Sequence, residues 1–443
     1  MKNIRFLTTV CLAAVATAVL AEGDGIANLK TIQRWPWSPK VDIACDYTGN
    51  ETTSVVFTAT WVGQDTPVTL LSMDPDDSCE LKPGANRFTW DPVLAGYGNK
   101  CLVNFKVEAA VTNADPRTYL VVDLKNGGYS FLATPPAGGW TDEYKLTKLV
   151  FRRIPKGAYQ LGTSEYGEFR AKWSGGQSGA VGRHWTKHEV VYSADYYYQI
   201  FFMTGEQLGW LKEGVSWGGG TKPTLPSGMS YAAYRGATLD DGETTVDWPT
   251  TGHKVNSASL VGKLRALTAK KGQPELLADL PTDQQWQLAM SGGANTFFPN
   301  GGVATDDQAT LDAYYAELAW PGGSGSNRQA FNNPVGSKGC NRFGIYDFNV
   351  YPNPLLDWIE AEGYVDTSNP SYKDRGDRID FPGRTTPYKA MPYRLMAGAY
   401  NEAAGLNSYR QTIYMRFKHD PTETNTYIPP RFVINLKPIV DVQ

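Results

Sequence analysis

Histidine and cysteine are scarce in this chain of 443 residues: four histidines and five cysteines. The histidines are His184, His188, His253 and His419. His184 and His188 stand four apart and precede Glu189, a spacing that gathers metal ligands on a helix. The segment reads as a loop entering a strand, where residues four apart lie far from each other along the chain. No pair of closely spaced cysteines offers a zinc site, and no Gly-rich loop runs into Lys-Ser or Lys-Thr to cradle phosphate. Charge of one sign is also lacking, with a formal net charge of -3 and a charged fraction of 20%. That balance argues against a nucleic-acid partner or an anionic membrane surface, both of which favour a basic stripe. Only Phe6 to Leu20 forms a long apolar run. It is too short for a stable membrane span, so no span is expected.

That run reads as the core of a signal peptide over residues 1–21. Lys2 and Arg5 supply its positive end, and small Ala21 precedes a polar turn at Glu22 and Gly23. The mature protein is therefore expected outside the cytoplasm, secreted or periplasmic. Export permits disulfides, and the mature chain keeps Cys45, Cys79, Cys101 and Cys340. A bridge within the first three is expected, with Cys340 a lone thiol. Four cysteines allow three complete pairings, and spacing does not choose among them.

What is abundant is aromatic: 25 Tyr and 13 Trp. Such side chains favour β-rich domains and surfaces that pair apolar area with a hydrogen-bonding tip. Val41 to Tyr47, Ser54 to Val62, Arg87 to Trp90 and Cys101 to Val107 read as strands between Gly, Pro, Asp and Asn turns. Together they suggest a small, loosely immunoglobulin-like β-sandwich over residues 38–115, ending near Asn113-Ala114-Asp115-Pro116. Beyond it the texture becomes α+β over residues 118–437. Leu149 to Arg153 and Glu189 to Tyr192 read as strands. Helices are expected from Thr204 to Glu213, Ser257 to Lys270 and Thr282 to Met290, with Thr204 and Thr282 as caps. Residues 214–256 and 291–345 read as long loops rich in Gly, Pro, Asn and Ser. Gly214-Val215-Ser216-Trp217-Gly218 spells a nucleophile elbow by letters. The elbow needs a strand before it and a helix after, and here a helix precedes and glycines follow.

Several stretches, in order, resemble one family. Arg153 to Gly162 looks like an opening strand that closes on a Leu-Gly step. Leu280-Pro281-Thr282-Asp283-Gln284-Gln285-Trp286 resembles a Leu-Pro-Thr-Glu-Ala-Glu-Trp helix start. Asn333-Pro334-Val335-Gly336, then Asn341-Arg342-Phe343-Gly344-Ile345-Tyr346-Asp347, resembles a Pro-Val-Gly…Asn-x-Phe-Gly-Leu-Tyr-Asp signature. Leu356-Asp357-Trp358 fits the Trp-Glu-Trp that follows it. Arg394 to Asn401, Arg410, Arg416 and Pro430-Arg431-Phe432 track later positions. The family is that of the formylglycine-generating enzymes, or sulfatase-modifying factors, whose fold is a variant of the C-type lectin.

The resemblance implies an oxidase that uses a cysteine pair to bind copper and convert a substrate cysteine to formylglycine. Thiolates suit that role as soft Cu(I) ligands that also exchange with a cysteine substrate. Here Tyr400 to Arg416 holds no cysteine, and Ser408 stands about where the second thiol would lie. The missing cysteines oppose copper and the oxidase activity, and the scarce histidines oppose another metal-dependent oxidoreductase of the same family; both stand as alternatives to a binding role. The resemblance also implies a structural calcium, with Asp347 and Asp357 at its ligand positions, carrying the hard oxygens that calcium takes. Asp279 departs from the Arg that usually precedes Leu-Pro-Thr, and Asn349 to Pro352 are extra. The leading reading is binding of protein or glycan, or surface display. Some proteins of this type use the stretch corresponding to Tyr400 to Tyr427 as a ligand-facing surface. Tyr400, Asn401, Asn407, Tyr409, Arg410 and Arg416 are its candidate ligand residues, of types that suit adaptable interfaces.

Overall fold

The computed structural model describes residues 16–17, 25–71, 73–74, 80–112, 118–163, 187–214, 231–236, 255–269, 273, 275–299, 301, 305, 307–318, 334–348, 353–358, 394–397, 416–419 and 430–436. The chain divides into two compact units, Met1–Ala114 and Asp115–Gln443.

The first unit is built of antiparallel strands. They are β1 (Ala16–Thr17), β2 (Ile26–Gln33), β3 (Val41–Tyr47), β4 (Thr53–Trp61), β5 (Gln64–Thr69), β6 (Met73–Asp74), β7 (Glu80–Leu81), β8 (Gly84–Trp90) and β9 (Lys106–Thr112). One sheet runs β1-β2-β3-β8-β6, while β4 pairs with β5, β7 and β9. Alternation decides the buried face: Val55, Phe57, Ala59 and Trp61 of β4 point inward, as do Val41, Ile43 and Cys45 of β3. Rings from β4 meet rings from β8, Phe57 against Phe88 at 5.1 Å and Trp61 against Trp90 at 6.0 Å. Phe105 stacks on both tryptophans. The strand expected from Cys101 begins only at Lys106. Asn104 takes a positive φ of 56°, which no extended strand tolerates, so 101–105 cross as a loop that delivers Phe105 to the core. Cys45 is a free thiol on the buried face of β3, which removes it from the expected bridge. Cys79 lies outside the described residues.

In the second unit the strands are β10 (Tyr119–Asp123), β11 (Tyr129–Leu132), β12 (Lys148–Ile154), β13 (Gly157–Leu161), β14 (His188–Tyr192), β15 (Tyr196–Gln199), β16 (Leu277–Asp279), β17 (Asn353–Trp358), β18 (Arg394–Ala397), β19 (Arg416–His419) and β20 (Val433–Asn435). A six-stranded antiparallel sheet runs β11-β10-β12-β15-β20-β16. β13 pairs with β14, and β17-β18-β19 form a third sheet. The helices are α1 (Glu143–Leu146), α2 (Gly205–Glu213), α3 (Tyr231–Arg235), α4 (Leu260–Thr268), α5 (Asp283–Ser291) and α6 (Gln308–Leu318). Leu208 and Leu211 of α2 and Leu260, Val261 and Leu264 of α4 share one core with Leu120, Val122, Leu149, Phe151 and Ile434 of the main sheet. Each such side chain contributes roughly 1.5–3 kcal/mol on burial.

The caps act as the sequence suggests. Thr204 and Thr282 each accept the N–H three residues on, and Gln207 and Gln285 return the bond, closing two capping boxes. Gly214 ends α2 in the left-handed conformation, φ 71°, and His188 opens a strand rather than a helix. The stretches read as loops are not wholly irregular, since α3 and α6 lie within them. Asp307 heads α6, its carboxylate accepting the Thr310 N–H at 3.0 Å. That Asp cap before Ala, Leu and Glu was a usable helix signal.

Candidate functional site

The signature stretches converge in the second unit. At the head of α5, Gln285 Nε2 donates to Asn435 Oδ1 at 2.7 Å, and Tyr196 Oη donates to the Gln285 carbonyl at 2.9 Å. The helix start is thereby fixed to β20 and β15. Trp286 is fully buried and packs against Phe348.

Asn341 joins the far end of α5 to the next stretch. Its Nδ2 donates to the Ala289 and Met290 carbonyls at 2.8 and 2.9 Å, satisfying carbonyls that the helix end leaves open. Its Oδ1 accepts the N–H groups of Phe343 and Ile345, curling the loop around the side chain. Gly344 sits at φ 71° in this curl, a conformation glycine adopts without cost. Five donors and acceptors are met by one buried amide and the backbone hydrogen bond from Asn341 N–H to the Ile345 carbonyl.

Arg431 closes the arrangement from the other end of the chain. It is fully buried, with its guanidinium over the Phe202 ring at 4.0 Å. Its nitrogens donate to the carbonyls of Ile200 at 2.8 Å, Gln199 at 3.3 Å, Asp347 at 3.2 Å and Tyr346. Burial pulls its pKa down to about 10, so it remains a cation at neutral pH. One side chain thus ties β15, the signature loop and β20 together. Sequence reading matched the stretch around Arg431 and gave the residue no role.

Asp347 lies in the same place, buried, with a φ of 52°. Its Oδ2 accepts the Gly336 N–H, while Oδ1 is buried with no hydrogen-bond partner. Burial pushes this carboxyl up from its ordinary value. The Arg431 hydrogen bonds go to carbonyls, while its charge, that of Lys145 and the Lys338 N–H favour the ionised carboxylate. Among the described residues no group of three or more His, Cys, Asp or Glu converges for a metal ion. Asp357 belongs to β17, and its side chain lies outside the described set.

Asp279, the charge reversal before Leu280, is fully buried and is met by two cations. Arg235 donates to it at 2.9 Å, and Arg265 stands at 3.5 Å. A buried carboxylate is thereby paired, where an unpaired one would cost several kcal/mol. The nucleophiles are quiet. Desolvation raises the Cys340 thiol, and burial lifts Tyr346 to about 12, so neither is ionised near neutrality.

The candidate ligand residues Tyr400, Asn401, Asn407, Tyr409 and Arg410 lie outside the described residues, as does His184. Arg416 is the first residue of β19 and is the register partner of Ala397, the last of β18. Residues 398–415 therefore connect two strand ends that are paired side by side.

Residues 226–365 match the family model described as the sulfatase-modifying factor enzyme 1-like domain. The chain carries a domain of that family. Among solved structures it is similar to Treponema denticola variable protein 1, at 16% identity and a TM-score of 0.39, over 65% of this chain and 95% of that one. It is also similar to PvdO from Pseudomonas aeruginosa, at 18% identity and a TM-score of 0.36, over 65% of this chain and 94% of that one. No curated protein matches. Within the sulfatase-modifying-factor match fall Leu280 to Trp286 and Asn341 to Asp347, whose side chains here cap, curl and bridge backbone. No helix among the described residues is long and apolar enough to cross a membrane.

Proposed function

We propose that this chain is an exported, non-catalytic protein of the sulfatase-modifying-factor type that binds protein or glycan through residues 400–427. The observation that carries the reading is the pairing of Ala397 with Arg416, which gives the segment between them two fixed and adjacent ends. A loop held that way on a rigid sheet can present Asn, Tyr and Arg to a ligand. The sequence adds its own support, because Cys340 is the last cysteine and the segment has no thiolate to bind Cu(I) and exchange with a substrate cysteine. The first unit, read as an immunoglobulin-like sandwich, would serve as a spacer or docking module.

Asp347, with Asp357, would hold a calcium ion of structural rather than chemical purpose. Adding calcium should raise the Tm of the wild-type protein and leave Asp347→Asn unmoved; equal responses would remove calcium from the account.

The binding reading is tested by replacing residues 399–414 with a short Gly-Ser connection. Both proteins are then screened on arrays of glycans and of secreted proteins. The replacement should keep the Tm within about 2 °C, a shift expected of a surface change below 0.5 kcal/mol, and lose the protein and neutral-glycan ligands that the parent binds. Those ligands retained at full strength would sink the reading.

A further inference from the structure

A further surface lies around a turn to which the proposed function gives no role. Residues Thr134-Pro135-Pro136-Ala137-Gly138-Gly139 lead into Trp140, and the turn is closed by the Gly139 N–H on the Pro136 carbonyl at 2.7 Å. Gly138 and Gly139 face open space, with no atom within 4 Å of where a side chain would begin. Trp140 itself is half-buried. Its ring meets Tyr119 at 5.0 Å and Tyr144 at 5.2 Å, both edge-on. Two edge-on ring contacts fix the indole, which needs no ligand to hold its place.

Cations border these rings. Arg152 lies 5.1 Å over Tyr119 and is its cross-strand partner, and Lys148 lies 5.1 Å over Tyr144. Lys148 is paired with Glu143 at 2.6 Å. Among the described residues Arg152 has no carboxylate partner, and its Nε is buried without a hydrogen bond. Tyr119 thus carries the guanidinium over its ring and the indole at its edge, beside a bare glycine turn.

We infer that Trp140 and Arg152 form a subsite for an acidic sugar, with the ring's C–H face on the indole and its carboxylate on the guanidinium. Arg presents a planar fork that matches a carboxylate with two parallel bonds. The glycine turn lets a flat ring approach without obstruction. An acidic peptide would use the cations and leave the indole idle, which is why the sugar is favoured. The inference does not depend on residues 400–427.

The test uses the full mature chain with trigalacturonate as probe, galactotriose as its neutral counterpart and pentaglutamate as the peptide control. Binding is followed by saturation-transfer NMR on the ligand and by titration calorimetry. Trigalacturonate should bind about tenfold or more tighter than either control, a difference of about 1.4 kcal/mol. Trp140→Ala and Arg152→Gln should each weaken it by a similar factor. The variant with residues 399–414 replaced should bind it as the parent does, which separates this surface from the proposed one. Trp140→Phe keeps an aromatic face and should retain most of the binding, guarding against misfolding in the Ala variant. Equal affinity for galactotriose or pentaglutamate, no binding at millimolar concentration, or full binding by Arg152→Gln would each overturn the inference.

Discussion

The two units hold themselves together in different ways. In the first, aromatic rings from strands of two different sheets interleave, and what matters is apolar volume in the right alternation. In the second, the helices pack on the sheet through ordinary leucines. The signature loop, however, is fastened by single polar side chains: Asn341 and Arg431 each bond to several backbone groups far away in sequence, and Gln285 reaches the Asn435 side chain. A core of the first kind tolerates exchange of like for like, because dispersion and burial are non-directional. A network of the second kind does not, because a lost donor leaves buried carbonyls without partners. In the matched stretches, Asn341 and Gln285 thus hold the architecture through hydrogen bonds to distant parts of the chain.

Conservative changes should break the comparison open. Arg431→Lys keeps the charge but cannot reach four carbonyls, and should cost about 3 kcal/mol or more, the range for breaking a buried charged network. Phe57→Leu, the matching conservative change in the first unit, should cost below about 1.5 kcal/mol. Urea denaturation followed by circular dichroism checks both; equal costs would mean that the fastening by Arg431 is not special.

A smaller effect concerns Cys45, whose thiol burial pushes up to about 11 from an ordinary 9.0. A raised value means that the folded state keeps the proton longer than the unfolded one. The stability this contributes is complete below pH 9 and is lost as pH rises through about 11. The midpoint of urea unfolding should therefore fall between these values, and Cys45→Ala should flatten that part of the profile. A fall of the same size in the variant would assign the effect to other groups.

The strands of the first unit were legible because alternation and turn residues are local signals, and Val41 to Tyr47 is found with the bounds that its pattern suggests. The miss at Cys101 came from Asn104, whose positive φ interrupts a run that looks extended by composition. In the second unit the Thr204 and Thr282 caps were legible for the same local reason. Asp307 carried an equally local signal, hidden inside a stretch whose glycines and prolines suggested only loop. Arg431 could be aligned but not understood, since its partners Gln199 and Ile200 lie more than two hundred residues away. The open oxygen of Asp347 likewise depends on which neighbours the fold brings near. Of residues 400–427, where sequence reading put the ligand surface, only 416–419 belong to the described set, and the role of the rest is argued from the strand ends that flank them.

The central claim is that the domain binds without catalysing. Its most direct test incubates the purified mature chain with Cu(I) and a cysteine-containing sulfatase-motif peptide, and follows the peptide by mass spectrometry. The account predicts that the cysteine stays a cysteine and that copper titration finds no tight site. Conversion to formylglycine would contradict it, and would mean that the chemistry runs without the cysteine pair that the family uses.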